Sequence, residues 1–330
     1  MYSIITAWFS QAVLFATVIL FGCMGEIITE KSGHLNLGIP GTMFVGGFGG
    51  FAGAFFYESL SGDAFNPVVC VIVAILAAFL ISCLMGVIYS VLTVSLRANQ
   101  NVTGLAITIF GVGVGKFFGT FILDGATATA VEKAYRSFST KIPGLSRIPY
   151  VGDLLFSYGF MVYAGIALAV LIYVFLNKTR TGLNLRAVGE NPATADAAGI
   201  NVTACKYAAT VVGAGIAGLG GMFYVLDFGK GMWVTQNNIE ALGWLAVALV
   251  IFSKWNPVKA IWGSVLFGLL SWAYAYLPKL GVPIPNTSVK LVEAIPYVVT
   301  LIVLVATSSR KSKENQPPAH LGLPYFREER

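Results

Sequence analysis

Apolar runs of about twenty residues recur along this 330-residue chain, and that recurrence decides what it can fold into. A helix rises about 1.5 Å per residue, so about 20 apolar residues cross the ~30 Å hydrocarbon layer of a bilayer. Inside that layer only helices and closed barrels leave no backbone group unpaired. The runs lie near 4–25, 37–57, 67–95, 102–123, 155–176, 206–226, 257–277 and 292–308, with a shorter one at 241–253. They predict an all-α polytopic membrane protein of about nine transmembrane helices. The range is about 8 to 10, because the Gly-rich second run and the short seventh have the composition of broken or re-entrant segments. Composition excludes a soluble domain: 56% of residues are hydrophobic and 11% charged, against ~25% charged in ordinary soluble domains.

The charge pattern sets topology. With nine spans and the amino terminus outside, the inner loops and inner tail hold thirteen of the 21 basic residues, among them Lys31, Arg97, Lys178, Arg180, Arg186 and Lys206. The first Lys or Arg is Lys31, so the opening span lacks the basic region of a cleaved signal peptide. Residues 124–154 form a long outer loop, broken by Pro143, Gly144, Pro149 and Gly152. Residues 309–330, with Pro317, Pro318 and Pro324 among charges, read as a disordered or loosely attached inner tail. The net charge of +6 is spread over loops and tail, with no basic face for a nucleic acid polymer. Cys23, Cys70, Cys83 and Cys205 have no C-x-x-C spacing and sit in or beside apolar spans, so they read as packing residues and no metal site is indicated.

One polar island stands out between spans: Gly189 to Ile200. Asn191 can cap a helix, Pro192 fits its first position, Ala193 to Ala198 favour helix, and Gly199 can adopt the left-handed closing conformation. Two turns are not stable alone in water, so a partner surface is expected to hold the small Ala face. The other reading is a capped turn packed on its own neighbouring spans.

Two further polar clusters precede Gly-rich spans: Glu26 to Asn36, with His34, and Arg97 to Thr103, with Asn99, Gln100 and Asn101. Amides hydrogen-bond a neutral polar solute without the cost of ~2.5–3.5 kcal/mol that a charge carries at the bilayer centre. Asn36, Asn99, Gln100, Asn101 and Thr103 are therefore candidate pathway residues; the simpler reading is wet loops that satisfy helix ends. Lys116, inside a span, is a pathway candidate or a snorkelling base near the outer edge. Gly-x-x-x-Gly pairs at Gly46/Gly50, Gly49/Gly53, Gly111/Gly115 and Gly115/Gly119, with a small-residue stripe from Gly213 to Gly221, mark close helix approach.

Catalytic motifs fail on context. Gly213-x-Gly215-x-x-Gly218 spells a dinucleotide fingerprint but lies in mid-span, and Gly115-Lys116 has Phe110 and Phe117 where a phosphate loop needs Gly and Ser or Thr. His34 and His320 are the two histidines, and no nucleophile has a positioned base. The chain reads as a non-enzyme without its own ATP site.

Several linked motifs are familiar together: Gly25-Glu26, Ser32-Gly33-His34-Leu35-Asn36-Leu37-Gly38 with Gly41, Arg97-Ala98-Asn99, Thr181-Gly182-Leu183, Arg186 through Pro192, and Ala197-Ala198-Gly199-Ile200. Over roughly 20–226 the chain resembles an ABC importer permease of the branched-chain amino acid and ribose group, in its nucleoside and simple-sugar branch; the last third matches mainly by hydropathy. It departs at Pro40, where relatives commonly carry an acid.

The resemblance implies a transmembrane permease domain over 1–308 in a bacterial plasma membrane, amino terminus outside and carboxyl terminus cytoplasmic. It implies a second, related permease, two ABC ATPase subunits that bind ATP and Mg, and an external solute-binding lipoprotein or periplasmic protein. It makes 177–205 a cytoplasmic coupling loop in which Asn191, Pro192 and Gly199 position a docking helix while Glu190, Asp196 and Ala197 meet the ATPase. No cofactor is expected on this chain. The expected solute is a nucleoside, with a simple sugar or branched-chain amino acid as the alternative. A secondary transporter would need ion-coupling acids at the midplane, and Glu26, Asp124, Asp227 and Glu293 all fall near span ends.

Overall fold

The computed structural model describes residues 2–123, 128–140, 151–234, 238–308 and 316–326. The chain is almost wholly helical: α1 (Tyr2–Lys31), α2 (Ile39–Ser61), α3 (Pro67–Ser90) and α4 (Gln100–Leu123) come first. Then follow β1 (Ala128–Ala130), α5 (Glu132–Phe138), α6 (Val151–Leu155), α7 (Phe160–Lys178), α8 (Arg180–Glu190), α9 (Pro192–Ala197) and α10 (Val202–Phe223). The chain continues through β2 (Met232–Val234), α11 (Ile239–Ser253), α12 (Pro257–Ser271), α13 (Ala273–Tyr276), α14 (Val289–Glu293) and α15 (Ile295–Ser308). The two strands pair antiparallel with Thr129 opposite Trp233, so the described part of the expected outer loop carries one strand of a short ribbon and the helix α5, while Pro143, Gly144 and Pro149 lie outside the described residues.

Local chemistry explains several of these starts. Asn-Pro opens α3, α9 and α12: the Asn66 amide oxygen accepts from Val68 N–H at 2.9 Å, Asn191 from Thr194 at 2.9 Å, and Asn256 from Val258 at 3.0 Å. Each Pro occupies a position whose N–H has no helical acceptor. One π-helical turn closes α3 (Val91–Ser95) and another closes α10 (Tyr224–Phe228).

Helix α10 is the axis of the bundle and packs against α1, α2 and α3. Glycine makes this possible. A Cβ on Gly46 or Gly218 would collide with the facing helix, and one on Gly221 would strike the Met43 carbonyl oxygen. Helices α2 and α4 meet in the same way: a methyl on Gly41 would lie 2.5 Å from the Ile107 carbonyl oxygen, and one on Gly111 would lie 2.6 Å from the Gly41 carbonyl oxygen. The Gly-x-x-x-Gly pairs thus divide the faces of α2: Gly46 and Gly50 toward α10, Gly49 and Gly53 toward α3. Most of α1, α2 and α10 is buried, while α3, α4 and α7 turn broad apolar faces outward.

Among the described residues six helices are long and apolar enough to cross a membrane: α1 to α4, α7 and α10. A seventh forms if α12 and α13, bent by 45°, are one span. The expected nine is not reached. Helix α11 has 15 residues and stops where Lys254 and Trp255 turn to positive φ, and α15 has 14, whereas ~20 are needed for an unassisted crossing.

The packing predicts opposite outcomes for the same substitution. Gly221→Ala drives a methyl into backbone, which cannot swing away, and is expected to cost about 1–3 kcal/mol and lower the melting temperature in detergent. Gly113, which has nothing within 4 Å, is expected to accept Ala with no loss.

Candidate functional site

The loop between α7 and α10 is a chain of caps. Thr179 Oγ1 accepts from Gly182 N–H at 3.1 Å and starts α8, Asn191 starts α9, and Asn201 accepts from Ala204 N–H at 2.9 Å to start α10. Gly199 has φ +84°, and the Ile200 N–H returns to the Ala195 carbonyl at 3.0 Å. This is the closure expected of a left-handed residue past a helix end. With so many positions fixed, α9 is held firmly despite its six residues.

What holds α9 differs in part from expectation. Its small inner face is covered by its own chain: Pro192 and Ala195 are buried, Ala195 in a cluster with Val188 and Val202 that Ile200 and Tyr325 flank. Asn191, Thr194, Ala197, Ala198 and Gly199 remain exposed, and these form the surface that α9 presents outward.

The tail bears on the same loop. Its described part, 316–326, lies across this loop instead of hanging free. His320 N–H donates to the Gly189 carbonyl at 3.0 Å, Gly322 N–H to Gly33 at 3.2 Å, and Ala319 N–H to the Glu190 carboxylate at 3.3 Å. Tyr325 donates to Asp196 Oδ2 at 2.9 Å, and the Arg97 guanidinium stands 4.7 Å over the Phe326 ring. Residues 309–315 and 327–330 lie outside the described residues. The Pro content suggested no structure, but a strap needs neither helix nor strand when backbone groups of neighbouring turns pair with it.

The structure separates the pathway candidates. Asn36 is buried, its N–H donating to Glu26 Oε1 at 3.0 Å and its amide oxygen taking Gly38 N–H at 2.9 Å. Gln100 is also buried and bridges Leu35 N–H, at 2.8 Å, to the Leu323 carbonyl of the tail. Asn99 caps α4 through Val102 N–H at 3.1 Å, Asn101 is exposed and Thr103 buried. Lys116 stands exposed beside Phe117, Thr120 and Phe121, some 24 Å along α4 from Gln100 at about 1.5 Å per residue. Asn36 and Gln100 meet at one loop, and Lys116 belongs to another region.

Sequence reasoning placed one carboxyl group, Glu26, at a span end and passed over a second, Glu30. Glu26 and Glu30 stand one turn apart on α1, both buried, Glu26 holding Asn36 and Glu30 accepting from the Trp255 indole N–H. Their i,i+4 spacing was visible, but nearness to a span end made them look wet. Lys206 and Asp227 are buried as well.

His34, in the loop between α1 and α2, is 1% exposed, with Nδ1 3.2 Å from Thr210 Oγ1 and its ring edge-on to Tyr89. Burial, then the charge of Lys206, then His320, push its pKa down to about 3. A folded value below the unfolded ~6.5 means that the unfolded chain takes up the proton first as pH falls, so stability drops below pH 6.5. From pH 7 to 5 the expected loss is about 2 kcal/mol. Melting curves across that range should show the drop, and His34→Gln should flatten it; an unchanged slope in the variant would assign the pH dependence elsewhere.

Residues 8–307 match the family described as branched-chain amino acid transport system / permease component. The guanosine ABC transporter permease protein NupQ of Bacillus subtilis is 32% identical over 326 residues, covering 96% of this chain and 95% of the relative. The putative glucose ABC transporter permease protein TsgC13 of Haloferax volcanii is 32% identical over 307 residues, 88% of each chain. The nucleoside ABC transporter permease protein NupC of Lactococcus lactis is 31% identical over 300 residues, 89% of this chain and 90% of the relative. No solved structure gives a significant match. The chain is a multi-pass membrane protein that belongs to the branched-chain amino acid transport system permease family of ABC transporters.

Proposed function

We propose that this chain is one permease subunit of an ATP-driven importer of nucleosides in a bacterial plasma membrane. The observation that carries the reading is the near full-length likeness to a guanosine permease, together with a nucleoside permease at similar identity. A second, related permease completes the pathway, an external binding protein delivers the solute, and two ATPase subunits bind ATP and Mg and supply the work. The glucose permease of Haloferax at equal identity favours a second reading, a simple sugar as the solute.

In this reading the α8–α9 loop and the tail are cytoplasmic and the amino terminus is external. The exposed surface of α9, with Asn191, Ala197 and Gly199, enters a groove of the ATPase, and Glu190 and Asp196 lie at its margin. ATP closes the ATPase dimer and carries α9 with it. Four residues after Ala198 the chain is already in α10, so the displacement passes straight into the helix on which α1, α2 and α3 pack. A floppy loop would absorb that motion, which is why the caps matter.

Energised uptake of labelled guanosine and uridine by cells with and without the chain, partner genes retained, tests the solute. Loss of nucleoside uptake on deletion is expected, resistant to excess ribose and leucine and to an uncoupler but sensitive to vanadate. Unchanged nucleoside uptake with lost sugar uptake would select the second reading, and uptake sensitive to the uncoupler alone would point to ion coupling.

A further inference from the structure

Between the tail, the turn after α9 and the first turn of α10 lies a cavity of about 440 Å³. Lys206 lines it, although the residue is 3% exposed. Among the described residues its ammonium has no hydrogen bond and no ion pair. The side chain is buried but its charge opens into the cavity with no anion paired to it, which is the arrangement that a ligand of opposite charge would complete.

The surroundings say which ligand. Lys206 stands one turn into α10, a 22-residue helix whose first residues, Val202 and Thr203, line the same space. The Asn201 cap takes the Ala204 N–H, so the amides of Val202 and Thr203 keep no intrahelical acceptor and carry the positive end of the helix dipole. Thr203 adds a hydroxyl, Arg97 a guanidinium and His34 a neutral imidazole. Asp196 also faces the cavity, and its carboxylate accepts from the Tyr325 hydroxyl.

We propose that this cavity binds a phosphate-bearing anion, held by Lys206, the N-terminus of α10, Thr203 and Arg97. Phosphate suits the site because its several oxygens accept from an ammonium, backbone amides and a guanidinium at once. Pro324 and Tyr325 of the tail line the cavity together with Asp196 and Gly199 at the end of α9, so an occupied cavity ties the tail to α9. The site requires neither the nucleoside reading nor the ATPase, and its test uses neither.

The experiment is a thermal-shift and calorimetric titration of the purified full chain with sodium phosphate, at ionic strength fixed by sodium chloride. It is run in neutral detergent and in nanodiscs of phosphatidylcholine with or without phosphatidylglycerol. Saturable stabilisation is expected. Lys206→Met should weaken phosphate binding at least tenfold while the unliganded variant melts no lower than the parent, since the uncompensated charge is gone. Arg97→Gln, at an exposed position, should weaken it severalfold without affecting folding. Stabilisation by phosphate in neutral discs identifies a free phosphate or phosphate ester; stabilisation by phosphatidylglycerol that phosphate displaces identifies a lipid headgroup. Equal effects of phosphate and chloride, or unchanged affinity in both variants, would overturn the site.

Discussion

The contact on which the structure depends is the backbone approach of α10 to α1 and α2. Gly213 faces Gly25, Gly218 faces Gly46, and Gly221 faces the Met43 carbonyl, so three helices touch where side chains would hold them apart. In lipid there is little hydrophobic gain in bringing helices together, and close van der Waals contact takes its place. Such contact is short-ranged and does not stretch. A push on one end of α10 therefore moves its neighbours or breaks the packing, and α9 sits at that end.

The same end of the bundle is held by buried polar bonds. Glu26 fixes Asn36, Glu30 takes the Trp255 indole, Tyr89 donates to the Leu35 carbonyl at 2.6 Å, and Gln100 joins Leu35 to the tail. Each bond links α1 or the 32–38 loop to a separate part of the chain. In a medium of low dielectric, breaking one leaves a polar group unpaired at a cost of about 1–3 kcal/mol. The loops around α9 are thus as well specified as the helices.

Much of this was legible in the sequence. Apolar runs of span length gave the all-α class, Gly-x-x-x-Gly pairs gave the close faces of α2 and α4, and Asn191, Pro192 and Gly199 occupy the cap, first-turn and left-handed positions read from their residue types. The span count was legible only in part: the run at 241–253 read as short, and among the described residues α11 and α15, at 15 and 14 residues, both fall below span length. The strap at 316–326 was hidden for a different reason: it is held by backbone groups of Gly33 and Gly189, far away in sequence, which leave no mark on its composition. The burial of Glu26, Glu30 and Lys206 was not legible, because position along a span says little about burial once neighbouring segments fold over it.

The central claim is that α9 is the part of this chain that touches the motor. A photo-crosslinking amino acid placed at the exposed Ala197, with a second at the exposed Phe121 as control, tests it in membranes carrying the assembled transporter. Illumination should attach an ATPase subunit at position 197, with a yield that changes when ATP is added, and none at position 121. An assembled complex that gives no ATPase adduct at 197, or equal adducts at both positions, would contradict the account.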